Sequence, residues 1–185
     1  MIYVNLDNVT LASNYYIRLL AHEWQHALHW RVDPNEELWL NEGLSELVAT
    51  LATGVTSGLD QAYQQRADLP LLAWNQDEAS LSAYYGGADL FLRYILDRFG
   101  DSFLRRVVVQ PNDGGDAFST VLGEMRLDFA HIYVDWLTSN GMAGKIAHSG
   151  LHTSFPAQGN GAVYPFGVDV IEVYSNSERT LRFQG

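Results

Sequence analysis

The sequence predicts an α+β domain that is mostly helical, with a small sheet element at the N-terminal end and a short β-rich segment at the C-terminal end. Three observations carry that expectation. MIYVNLD alternates apolar and polar positions and is rich in β-formers, the pattern of a strand. Between Asn14 and Ser139 most apolar residues recur every three or four positions, the helical period. After Asn140 the character changes: seven of the sixteen glycines fall in the last 45 residues, and GAVYPFGVDVIEVY and RTLRFQ read as strands.

The elements follow in order. Ser13 or Asn14 can cap a helix running to about Trp30. On its helical period Ile17, Leu20, Trp24 and Leu28 share one stripe, with His22, His26 and His29 on the opposite side. Asp33-Pro34 breaks that helix. LWLNEGLSELVATLATG is a second helix despite its internal Gly43, and Gly54 is placed to stop it. Residues 57–79 are mixed, with a short helix and a loop around Pro70. A strong helix over about 80–99 ends at Gly100, and another over about 101–109 stops before Pro111. Two more are expected at about 115–122 and 127–139. A boundary near residue 145 divides a catalytic-sized unit, 1–145, from residues 146–185. The latter are too few for a stable β domain and are expected to open a further module.

Composition narrows the function classes. At 185 residues, 47% hydrophobic and 12% aromatic, the chain can bury a substantial core. A formal net charge of −11, with eleven Lys and Arg scattered along the chain, argues against nucleic acid and against anionic membrane surfaces. No apolar run approaches the ~20 residues of a membrane span. The start MIYVNLDNVT has neither the basic nor the apolar region of a signal peptide, and it opens abruptly in a strand-like segment, as a piece of a longer polypeptide would. Cysteine is absent, so any metal must sit on His, Glu or Asp.

AHEWQHALHW holds the chemistry. His22 and His26, four apart, lie on one helix face and can reach a single zinc ion. Glu23, next to the first histidine, is then directed at the water that zinc activates and can act as general base. His29 lies seven residues from His22, about 10.5 Å along the axis, too far to join the same ion. It is expected to be a packing or rim residue. The third ligand should be an acid from a second helix, where Glu42 and Glu46 stand four apart on one face. Leu38, Trp39, Leu40, Leu44 and Leu47 make that helix largely buried, and a buried glutamate requires a partner or a metal.

These residues resemble the gluzincin metallopeptidases, whose members include the thermolysin-like, aminopeptidase N and hyicolysin-like enzymes. AHEWQHALHW followed by WLNEGLSE is similar to the family's zinc helix and glutamate helix, with WLNEG especially close to the aminopeptidase form. The resemblance implies that Glu42 is the third zinc ligand and that Glu46 holds His22 from behind. Asn41 belongs to the same supporting layer. The loop from His26 to Glu42 is shorter than the family's usual one, and counting alone would select Glu46; the local motif selects Glu42. YGGADLFLRYILDRFG, 85–100, resembles the aminopeptidase-group helix that opens with a catalytic tyrosine, which maps onto Tyr85 with Tyr84 as the alternative. Gly87-Ala88 replaces the family's lysine-glycine pair.

The resemblance implies a zincin-like catalytic domain of a zinc metallopeptidase, cutting peptide or protein substrates. Zinc would be held by His22, His26 and Glu42, with Glu23 as base and Tyr85 as oxyanion donor. The aminopeptidase group's segment for a substrate's free amino end is absent, which favours an endopeptidase. The rivals are an aminopeptidase-type exopeptidase and an inactive zinc-binding module of a larger secreted protein. The resemblance further implies a secreted or cell-surface setting of bacterial type, with further domains on the same polypeptide.

Overall fold

A computed structural model describes residues 2, 4, 5, 7, 9–74 and 78–141. Seven helices follow one another: α1 (Asn14–His29), α2 (Leu38–Thr53), α3 (Leu59–Gln65), α4 (Glu78–Phe99), α5 (Asp101–Val108), α6 (Gly114–Glu124) and α7 (Phe129–Gly141). No strand occurs among the described residues. The expectation of an α+β, zincin-like domain with an N-terminal sheet element is therefore corrected to an all-helical arrangement. The physical reason is pairing: alternation gives a short segment one apolar face, but a strand also needs a neighbour for its backbone groups. None of the described residues supplies one. The β-rich segment expected over 146–185 and the boundary near 145 lie outside the described residues.

Local chemistry sets the helix ends. The Ser13 hydroxyl accepts a hydrogen bond from the Tyr16 amide at 3.1 Å and caps α1. Gly54, with φ at 68°, takes the left-handed turn that closes α2, donating its amide to the Thr50 carbonyl at 2.8 Å.

α4 is the central element. From Ser80 to Ile95 it is buried on almost every side, which is why its sequence lacks a clean polar face. α2 and α3 pack against it, α1 packs on α2, and α5, α6 and α7 each pack against the preceding helix. The core between them is aromatic: Trp39, Phe91, Phe118, Tyr133 and Trp136 are all buried. Phe91 sits at the hub, with ring centroids 5.2 Å from Trp136, 5.8 Å from Phe118 and 6.0 Å from Trp39. Truncating one such ring typically costs about 3–5 kcal/mol.

α1 is oriented differently from a core-lining amphipathic helix. Its histidine side faces α2, whereas Ile17, Trp24 and Leu28 of the apolar stripe are exposed, Trp24 by 60%.

Two glycines permit the close approaches around α4. A Cβ on Gly43 would lie 2.8 Å from Leu92 Cδ1 and 3.0 Å from the Ala88 Cβ, so this glycine lets α2 settle onto α4. A Cβ on Gly86 would lie 2.0 Å from the Leu59 carbonyl oxygen, a backbone atom at the start of α3. Leu92 can rotate aside, but the Leu59 carbonyl cannot. The expected stability order is therefore wild type, then Gly43→Ala with a loss of about 1 kcal/mol, then Gly86→Ala with about 3 kcal/mol. Urea denaturation midpoints test this; equal midpoints for the two variants would refute the proposed α3–α4 contact.

Candidate metal centre

Facing turns of α1 and α2 bring His22, His26 and Glu42 into one cluster, the group of three metal-capable side chains that converges among the described residues. The two imidazoles stand one helical turn apart and nearly perpendicular, with Nε2 atoms 3.1 Å from each other. Glu42 Oε2 lies 3.4 Å from His22 Nε2 and 3.3 Å from His26 Nε2. Three potential ligand atoms thus form a nearly equilateral triangle.

A second layer fixes the rings. His22 Nδ1 lies 3.0 Å from Glu46 Oε1. A carboxylate only accepts, so that ring nitrogen carries a hydrogen and the Nε2 side faces the triangle. His26 Nδ1 lies 3.0 Å from Asn41 Oδ1 and 3.1 Å from the Ser45 hydroxyl. Ser45 in turn donates to Gln25 Oε1 at 2.5 Å. Arg18, one turn before His22, forms an ion pair with Glu46 and donates to the Thr50 hydroxyl at 3.0 Å and the Val55 carbonyl at 2.7 Å.

The donor set fits a zinc ion. Tetrahedral bonds of about 2.0–2.1 Å set ligand atoms about 3.3–3.4 Å apart, and the triangle's edges run from 3.1 to 3.4 Å. Glu42 Oε2 is buried and accepts no well-directed hydrogen bond, an orphaned oxygen of the kind a cation satisfies. Two imidazoles, which are borderline donors, and one carboxylate, which is a hard one, form a set that zinc accepts.

Electrostatics state the same demand for positive charge. Burial pulls the His22 pKa down, but the adjoining Glu42 and Glu46 carboxylates outweigh it and hold it at about 9. Burial pushes Glu42 up, and the two imidazoles outweigh that and hold it at about 2. His26 is raised, chiefly by Glu42. Glu46 is lowered: its burial is outweighed by His22 and Arg18.

Tyr85 and Tyr84 part company. Tyr85 is half-buried against Trp74, ring centroids 5.2 Å apart, and burial together with the adjoining Glu42 carboxylate raises its pKa. Tyr84 is 2% exposed and belongs to a separate apolar cluster with Leu69 and Ala83. Glu23 lines two cavities, one that includes His26 and Glu42 and one that includes His22, as does Leu19. The larger, about 910 Å3, includes His26, Asn41, Glu42 and Arg31. The smaller, about 260 Å3, includes His22, Arg18 and Glu46. His29 lies outside the cluster, buried, with Nδ1 3.3 Å from Gln25 Nε2 and Nε2 3.6 Å from Glu36 Oε2.

Sequence reasoning missed Ser45 and Arg18. Both were marked by helical spacing: Ser45 is four residues after Asn41, and Arg18 four before His22. The chain matches no protein-family model, no curated protein and no solved structure.

Behind the cluster, α4 stacks Tyr85, Asp89 and Arg93 at four-residue spacing. Asp89 Oδ2 lies 3.0 Å from the Arg93 guanidinium, which is also 3.8 Å from Asp60. Burial raises the Asp89 pKa from 3.8 to about 6 against the pull of Arg93. The folded chain thus holds the Asp89 proton more tightly than the unfolded chain does. This contribution to stability is complete below about pH 4 and is lost as pH rises to about 6. Relative to Asp89→Asn, whose amide does not titrate, wild-type stability is expected to fall across that window by up to about 3 kcal/mol. Urea unfolding at a series of pH values measures the difference; a constant difference overturns the assignment.

Proposed function

We propose that the chain is a zinc-dependent metallopeptidase that hydrolyses peptide bonds within polypeptide chains, in a secreted or cell-surface setting. The observation that carries the reading is the triangle of His22 Nε2, His26 Nε2 and Glu42 Oε2, with edges of a length suited to one tetrahedral ion. The resemblance to gluzincin peptidases supports it from the sequence side.

His22, His26 and Glu42 would hold the zinc. When bound, zinc supplies Lewis acidity, lowering the pKa of water in its open position and polarising a carbonyl. Everything else falls to side chains. Glu23, which lines both cavities, takes a proton from the attacking water and passes it to the departing amine. Tyr85, whose raised pKa keeps its hydroxyl protonated, donates a hydrogen bond to the oxyanion that develops on the scissile carbonyl. Glu46 and Asn41 keep the two imidazoles turned toward the ion, and Arg18 keeps Glu46 ionised. Two cavities that share Glu23 as a lining residue suit a chain that continues past the cleavage point, which supports endopeptidase over exopeptidase action. As for partners, no helix among the described residues is long and apolar enough to cross a membrane.

Metal analysis of protein purified without chelator, paired with casein cleavage, tests the reading. One zinc per chain is expected. Glu23→Gln should keep the metal while the cleavage rate falls about 10²- to 10⁴-fold. Absence of stoichiometric zinc sinks the proposal; zinc with wild type and Glu23→Gln equally inert on broad peptide libraries points to a structural metal instead. A second expectation concerns the residue the sequence did not reveal. Ser45→Ala should weaken zinc affinity about 10- to 100-fold in a competitive chelator titration, because His26 loses a partner that fixes its ring. Unchanged affinity would leave Asn41 as the sufficient support for that ring.

A further inference from the structure

The larger cavity beside the cluster has a composition that bears on substrate choice. Its walls are partly apolar, formed by Leu19, Ala27 and Trp30, and its acids are Glu23 and Glu42, both already given to the reaction. Arg31 is the cation that lines it. Acids outnumber bases in this chain by 22 to 11, so most arginines have carboxylates at hand. Arg18, Arg66, Arg93, Arg98, Arg105 and Arg106 are each ion-paired. Among the described residues Arg31 and Arg126 have no such pair, and Arg126 lines neither cavity beside the cluster.

A simpler account of Arg31 is its place just after α1, where a cation favours the negative end of the helix dipole. That account explains a positive charge near the helix end. It does not explain a side chain lining the cavity that holds His26 and Glu42, without a carboxylate partner, in so acidic a chain. A guanidinium presents paired donors that match a carboxylate, and Arg31 is exposed at the edge of this cavity, open to an incoming chain.

We propose that Arg31 anchors a carboxylate of the substrate in this cavity, so that peptides bearing a carboxylate near the scissile bond are the preferred class. This inference rests on the peptidase reading above. An aspartate or glutamate side chain and a free C-terminal carboxylate offer the same chemistry, and the test separates them.

The experiment uses the full chain with Glu23→Gln, which slows cleavage below the timescale of the titration, and measures binding of three N-acetylated tetrapeptides by calorimetry. One is neutral with an amidated C-terminus, one carries an aspartate with an amidated C-terminus, and one is neutral with a free C-terminal carboxylate. At least one carboxylate peptide is expected to bind about tenfold more tightly than the neutral peptide. Arg31→Gln should erase that difference, and Arg31→Glu should reverse its sign, with helical content by circular dichroism unchanged. Equal affinity for all three peptides, no binding at millimolar concentration, or a preference that survives Arg31→Gln overturns the proposal. A carboxylate preference that depends on Arg31 in a chain that neither holds zinc nor cleaves casein would keep the anchor and remove the peptidase reading. Cleavage that ignores peptide charge would do the opposite.

Discussion

The approach of α2 to α4 at Gly43 governs the geometry of the candidate centre. Where a side chain would meet Leu92 and Ala88, hydrogen alone lets the helices close. Glu42 precedes that contact point by one residue, and Tyr85 precedes Ala88 by three. The same contact that seals the core therefore brings the carboxylate of one helix beside the phenol of the other. α1 then needs only to lie along α2 for His22 and His26 to reach Glu42. Packing supplies the positions, and the cluster inherits them.

Holding that cluster requires burying charge, and the arrangement distributes the cost. Glu46 is 7% exposed, yet it touches both an imidazole and a guanidinium, so its charge is compensated on two sides. Arg18 also ties Glu46 to the end of α2 through the Val55 carbonyl. Asp89 follows another solution: deep burial is met partly by Arg93 and partly by retention of a proton into the mildly acidic range. The carboxylates of the His22–His26–Glu42 cluster and its support are held low, whereas that of Asp89, farther back, is raised despite its Arg93 partner.

How much of this was legible in the sequence depends on the range of the interaction. Helix ends at Ser13, Gly54 and Gly100 are local chemistry, and the seven helices lie close to where apolar spacing put them. The pairing of His22 with His26 is also local, fixed by one helical turn. The closure of Glu42 rather than Glu46 onto both Nε2 atoms depends on how two helices cross, which loop length alone did not predict. MIYVNLD misled because alternation reports a face and not a partner strand. The Ile17, Trp24 and Leu28 stripe carries a different lesson: a helix can be oriented by its polar face when that face carries a partly buried ionic cluster.

That orientation of α1 has a colloidal consequence. One helix carries a charged interior face and an oily exterior one, the reverse of the usual allocation. Trp24 and Leu28 offer copies of the chain a surface on which to adhere, while a net charge of −11 drives those copies apart. Salt screens the repulsion over about 10 Å at 0.1 M but leaves apolar attraction intact. On this face of α1, apolar attraction and acidic repulsion oppose each other, and ionic strength is the variable that tilts the balance.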